Sequence, residues 1–307
     1  MARIANPFRL GPLALALVLA GGAARAADPA AKNAPSREVS VPDVPGDDIF
    51  GFTSPTDLGK PGDRMFVNEN DFRLGKRVGA YGALNSKYEF SYTINEDWWI
   101  AASPFLAVNR IRDVAILPNR NAFEFDGFST EIAHKLLTRS ETNPFAVTAT
   151  IEPRWGRIDP ESGFRSQNFG FAAKLFVDRV VVPEQLFWAA NLIWSPQWAD
   201  DPLTPGNRLI NSSILASTAL SWQFSPGWFL GAEARYFAQY ARIAPDKLMG
   251  QSLFVGPTLL WKINDRVAVN VTWQPQLWGR ASATPGLGLD LDNFERSVGR
   301  LKLAVQF

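Results

Sequence analysis

Charged residues at every second position could line a water-filled passage. Read in alternation, eleven of them fall on one side of their segments: Lys87, Glu89, Glu152, Arg154, Lys174, Asp178, Glu233, Arg235, Lys262, Arg300 and Lys302. Two segments repeat a Glu-x-Arg step, Glu152-Pro153-Arg154 and Glu233-Ala234-Arg235. Residues two apart on a strand share a face and sit about 6.5–7 Å apart. Such groups can pair across strands into a structural ladder that fills a narrow barrel. They can also form a polar constriction that selects solutes by charge and size. The balance of signs argues against strong anion or cation selectivity.

Other chemistry finds little support. His134 is the sole histidine, and a Ser-His-Asp site would need it. It lies in Glu131-Ile132-Ala133-His134-Lys135, and the next strand offers Thr148 and Thr150 without a Ser-Asn nucleophile segment. A histidine at the edge of an aromatic girdle is the simpler reading, so no catalytic residue is assigned. Asp200-Asp201 and Asp290-Leu291-Asp292-Asn293 are acidic pairs suited to Ca²⁺ in kind but not in ligand spacing, and solvated loop acids are expected. There is no phosphate-cradling glycine loop, zinc spacing or nucleic-acid module, and no cofactor, metal or nucleic-acid partner is expected.

The elements that must carry the charged set are strands. The last nine residues, Gly299 to Phe307, place Leu301, Leu303, Val305 and Phe307 on one face and Arg300, Lys302 and Gln306 on the other. A period of two means one greasy face and one wet face. An amphipathic strand ending on a terminal Phe suits the closing strand of an outer-membrane barrel, and Phe307, Val305 and Leu303 are read as the signal for the barrel-assembly machinery. Alternating runs fall near 64–74, 80–94, 97–110, 123–137, 144–157, 164–179, 184–197, 211–224, 227–241, 251–263, 266–278 and 297–307. About twelve strands, an even number, suits a single-chain bacterial barrel. The connections alternate: short at Asn95–Asp97, Thr138–Asn143, Val180–Pro183, Ser225–Gly227 and Asn264–Asp265, with the longest at Ile111–Ala122, Trp198–Ile210 and Gly279–Arg296. That predicts short periplasmic turns and longer extracellular loops. Trp98, Trp99, Trp222, Trp228 and Trp261, all beside short turns, are expected in an interfacial aromatic belt. Lipid would meet the apolar face, and the charged face would line the lumen.

Residues 1–26 read as a secretory signal: Arg3 and Arg9, an apolar stretch from Leu10 to Ala20, and Ala24-Arg25-Ala26 as cleavage site. Removing them takes three arginines and no acid, leaving 28 basic against 30 acidic residues. That charge offers no reason to bind nucleic acid. The chain holds no Cys, which excludes disulfides and thiolate metal sites. Residues 27–62 contain six prolines and read as an extended periplasmic lead-in. Its one apolar cluster, Ile49-Phe50-Gly51-Phe52, could dock into the barrel mouth as a small plug. Residues 63–307 form the expected barrel, an all-β, antiparallel up-and-down transmembrane architecture.

Phe50-Gly51-Phe52-Thr53 to Gly62, Phe72 to Arg77, Glu152-Pro153-Arg154-Trp155, Leu230 to Tyr236, Phe254 to Thr258 and Asn293-Phe294-Glu295-Arg296 resemble an uncharacterised family of proteobacterial outer-membrane barrel proteins, a domain of unknown function. The sequence is more distantly similar to barrels associated with aromatic-degradation pathways, which implies hydrophobic or aromatic solutes. The resemblance implies an outer-membrane location. The leading expectation is a porin-like channel for passive passage of small solutes. A structural or surface-interaction barrel with a closed charged lumen is the alternative, and an outer-membrane enzyme a remote one.

Overall fold

The computed structural model describes residues 44–45, 49–204 and 206–307. The signal reading, residues 1–26, and the first part of the lead-in lie outside the described residues. Twelve strands follow one another: β1 (Arg64–Leu74), β2 (Ala80–Thr93), β3 (Trp98–Arg112), β4 (Arg120–Leu137), β5 (Phe145–Ile158), β6 (Arg165–Val182), β7 (Leu186–Asp200), β8 (Arg208–Ser225), β9 (Trp228–Tyr240), β10 (Leu248–Asn264), β11 (Val267–Ala281) and β12 (Ser297–Gln306). Each pairs antiparallel with its sequence neighbours, and β12 pairs with β1 to close the barrel. The seam runs from Met65 opposite Gln306 to Leu74 opposite Ser297. Closure satisfies every strand edge, which a sheet surrounded by lipid must do.

Burial is inverted relative to a water-soluble protein. Large apolar side chains point outward: Phe90 is 57% exposed, Leu192 53% and Trp273 53%. The buried side chains include Gln274, Glu233 and Lys302. The alternation in β2, β7, β9 and β11 follows the period of two, with Leu230 and Tyr236 outside and Glu233 and Arg235 inside. At the short-turn end Trp228 stacks on Trp261 at 5.2 Å, and Trp222 and Phe224 continue the outward belt. Trp99 corrects the belt reading. It pairs with the buried Thr93 and Ala133 and lines the lumen.

The connections keep the expected alternation of lengths, with one exception. Strands extend further than the periodicity implied, so residues 113–119 and 201–207 are all that separate β3 from β4 and β7 from β8. The short-turn connection 138–144 is as long as these. The other four turns at that end, residues 94–97, 183–185, 226–227 and 265–266, are shorter than every connection at the opposite end, where the longest, residues 282–296, folds back over the barrel. There Asp290 and Leu291 are buried, and Phe294 packs 6.0 Å from Phe237 and 6.5 Å from Phe254. Lys76 joins two loops, contacting Glu161 at 3.0 Å and Glu295 at 3.8 Å. Asp290 is no solvated acid: it caps the Asp292–Asn293 turn through both backbone amides.

Candidate functional site in the barrel lumen

The lead-in enters the barrel. Ile49 and Phe50 are fully buried against Phe187, Ala189, Ala219, Phe229, Leu260 and Ala268. All six sit on the inward side of their strands near the short-turn end. Burying two such side chains stabilises the arrangement by about 1.5–3 kcal/mol each. The extended segment carries backbone groups that need partners, and the wall supplies them. Ser221 donates to the Ile49 carbonyl at 3.0 Å and Asn270 to the Phe50 carbonyl at 2.7 Å. Glu233 accepts from the Phe52 amide at 2.9 Å, the Thr53 amide at 2.5 Å and the Thr53 hydroxyl. Gln274 donates to the same carboxylate at 2.7 Å. Farther along, Asp178 accepts from the Thr56 amide at 2.7 Å and its hydroxyl at 3.0 Å, and also pairs with Arg139. Thr148 donates to the Thr56 carbonyl at 2.7 Å, and Thr93 to that of Leu58. Described residues 49–59 thus form a plug seated in the short-turn half of the lumen.

A charge cluster occupies the lumen beyond the plug. Lys174 contacts Glu152 at 2.6 Å and Glu131 at 2.9 Å. Lys87 contacts Glu89 at 2.7 Å, Glu152 at 3.6 Å and Glu131 at 3.9 Å. These residues come from β2, β4, β5 and β6 and form a cross-strand ladder. On the β12–β1 wall, Arg300 grips Asp71 with two nitrogens, at 2.6 and 2.8 Å, and Lys302 pairs with Glu69 at 3.3 Å. Toward the long-loop end Arg154 pairs with Asp126 at 2.5 Å and lies over the Phe105 ring. Paired charges in a narrow passage satisfy one another and still present polar surface to water.

A cavity of about 1300 Å³ runs beside the plug. Its lining reaches from Asp265, Arg266 and Gln306 at the short-turn end, past Glu69, Lys87 and Glu152, to Ile158, Asn168 and Gln197 at the long-loop end. The plug therefore leaves lumen space unfilled, bordered by β1–β6 and β12 and reaching Ile193 on β7, Leu215 on β8 and Arg235 on β9.

The structure places the eleven charged residues read from the sequence on the inward face. It divides their work unequally. The two Glu-x-Arg steps do not act alike: Glu152 belongs to the lysine ladder, whereas Glu233 holds the plug. Arg235 lies over the Phe52 ring at 3.4 Å, with Arg300 at 4.4 Å from the same ring. Lys262 sits at the short-turn end, 5.9 Å from the Phe229 ring. Sequence reasoning missed Glu69, Asp71, Asp126 and Glu131. Strand β1 has no clean alternation, so its inward face was illegible. In β4 a bulge near Gly127, opposite Phe105 and Leu106, shifts the register. Asp126 and Ser129 both turn inward across it, which breaks the parity count. The plug seat did leave a signal: Phe187, Phe229 and Leu260 are apolar residues on an otherwise polar face.

His134 lies away from this site. Its ring stacks on Trp98 at 4.2 Å, and its Nδ1 is 3.2 Å from the Asp97 carbonyl. Among the described residues no group of acids and histidine gathers in a metal-holding arrangement.

A closed, plugged twelve-strand barrel with an apolar exterior and a charged lumen is an outer-membrane β-barrel. The chain belongs to a family of unknown function, DUF6662, whose pattern matches residues 42–307. No curated protein matches it. Among solved structures it is similar to the COG4313 outer membrane channel from Pseudomonas putida F1. The identity is 14% and the TM-score 0.56, over 86% of this chain and 100% of that one. It also overlaps the NanC porin, at 9% identity and TM-score 0.46 over 78% of this chain and 98% of that one. The translocator domain of the autotransporter NalP from Neisseria meningitidis stands at 13% and 0.46, over 82% and 91%. At 14% identity the likeness to the P. putida channel is one of fold.

Proposed function

We propose that the protein is a passive outer-membrane channel for small solutes, with the short-turn end and its plug facing the periplasm. The observation that carries this reading is the cavity running beside the plug, lined at both ends by polar groups. The P. putida protein of the same fold is described as an outer membrane channel, which agrees with it. Mixed charge along the cavity wall supports small solutes that carry a polar or charged group over the wholly hydrophobic or aromatic ones that the distant resemblance implied. Near-equal numbers of cations and carboxylates support weak ionic selectivity. The stacking of His134 outside the lumen supports a role other than catalysis.

A closed structural barrel is the competing reading, favoured by the depth at which the plug is anchored. Purified full-length protein in planar bilayers separates the two. Stable current steps, altered in Glu152→Gln, are expected. Well-folded protein that never conducts would sink the channel.

A further inference from the structure

Arg235 differs from the other cations of the lumen. The residue is 5% exposed. Lys87, Lys174, Arg154, Arg300 and Lys302 all make ion pairs with carboxylates, but Arg235 makes none among the described residues. The acid two positions away, Glu233, is occupied by the Phe52 and Thr53 amides, the Thr53 hydroxyl and Gln274. Gln274 stands between them: its Nε2 donates to Glu233 while its Oε1 accepts from Arg235 Nε at 2.7 Å. The rest of the guanidinium meets aromatic rings, Phe52 at 3.4 Å, Phe237 at 5.2 Å and Phe254 at 6.0 Å. Ring faces offset part of the cost of burying a cation. They accept none of the directed hydrogen bonds its remaining N–H groups can give. Glu233 and Asp71 act on it from beyond ion-pair distance, and an anion in the cavity could accept the N–H bonds that the rings do not.

Arg235 also opens on the cavity. The same cavity is lined by Phe52, Ile193, Leu215, Ser213 and Gln239; in the β8–β9 register Ser217 stands opposite Arg235, Leu215 opposite Phe237 and Ser213 opposite Gln239. Ile193 pairs with Leu215 across β7 and β8, and Leu215 with Phe237 across β8 and β9, which fixes the apolar patch near the guanidinium. The other arginine within reach, Arg300, is committed to Asp71 and Glu69. One uncommitted guanidinium neutralises a single negative charge. Its planar fork matches a carboxylate better than a spherical anion.

We propose that Arg235, with Ile193, Leu215 and Phe52, forms a solute subsite for a monocarboxylate bearing a short apolar body. The subsite deepens the channel reading and rests on it for its purpose, but it can be tested without transport. Sodium hexanoate is titrated calorimetrically into the full-length barrel in detergent, and hexylamine serves as the probe of reversed charge. Wild type is expected to bind hexanoate and not hexylamine. Arg235→Gln should weaken hexanoate binding about tenfold or more. Arg235→Lys, which keeps the charge and loses the fork, should fall between and guards against a folding defect. Arg208→Gln, exposed at the rim, should bind as wild type does. Equal affinity in wild type and both Arg235 variants, no binding by wild type, or equal uptake of hexylamine would overturn the subsite. Protein that binds hexanoate and never conducts defeats the channel and leaves the subsite standing. Protein that conducts and never binds does the reverse.

Discussion

The amide of Phe52 donates to Glu233 Oε2 at 2.9 Å across 181 positions of sequence. That carboxylate is the point at which the lead-in and the barrel become one structure. It is buried and it accepts from two successive amides, a hydroxyl and the Gln274 side chain. Several donors converging on one carboxylate hold its charge without a paired cation. The plug is consequently seated by directed bonds at its middle and by Ile49 and Phe50 at its start.

Gly51 sets how closely the plug can approach the wall. A Cβ there would meet Glu233 Oε2 and Thr272 Oγ1 at 2.6 Å and Thr258 Oγ1 at 2.7 Å. The two threonines bond each other at 2.5 Å, and Thr272 also donates to the Pro257 carbonyl, so neither can give way easily. Gly51→Ala is expected to cost about 1–3 kcal/mol through overpacking. The barrel should remain folded while its current rises and the lead-in becomes open to protease. Unchanged protease resistance would refute this account of the seat.

Removing Lys174 should tilt the lumen toward cations. Its ammonium contacts both Glu131 and Glu152, and Lys87 alone would remain to them. Lys174→Met leaves excess negative charge on the wall of the passage. Reversal potentials in a salt gradient should move in the cation-selective direction. A potential equal to wild type would remove the ladder from the permeation path.

Acidification should tighten the plug at Asp57. Burial raises its carboxyl above the ordinary 3.8, against smaller lowering effects from the Gly59 backbone and Lys135. A raised value means that the seated plug holds a proton the released segment has already lost. The charged form costs stability at neutral pH, and that cost disappears as pH falls through the raised value. Current at about pH 4.5 should therefore be lower than at pH 7, and Asp57→Asn should flatten the difference. A wild-type profile that persists in the variant would assign the effect elsewhere.

Phe307 extends the seam between β12 and β1 by one bond. The Phe307 amide donates to the Arg64 carbonyl at 2.9 Å, and Val305 and Leu303 stand opposite Phe66 and Asn68 on β1. Deleting Phe307 should lower the yield of heat-resistant folded barrel while leaving the conductance of each assembled molecule intact. A normal yield would show that closure does not depend on it.

The sequence by itself determined the strands, their number and their faces, because alternation is a local property. Leu301, Leu303 and Val305 against Arg300 and Lys302 can be read without any partner. Where alternation is broken the reading fails locally: Glu69 and Asp71 lie in a strand without a clean period, and the β4 bulge reverses parity between Asp126 and Ser129. Only the tertiary structure decided which charges meet. Glu152 and Glu233 carry the same motif and the same parity, yet one faces Lys174 and the other faces the Phe52 amide. That difference depends on where each strand stands around the closed ring and on what the lead-in brings to it, and neither is a property of neighbouring residues in the chain.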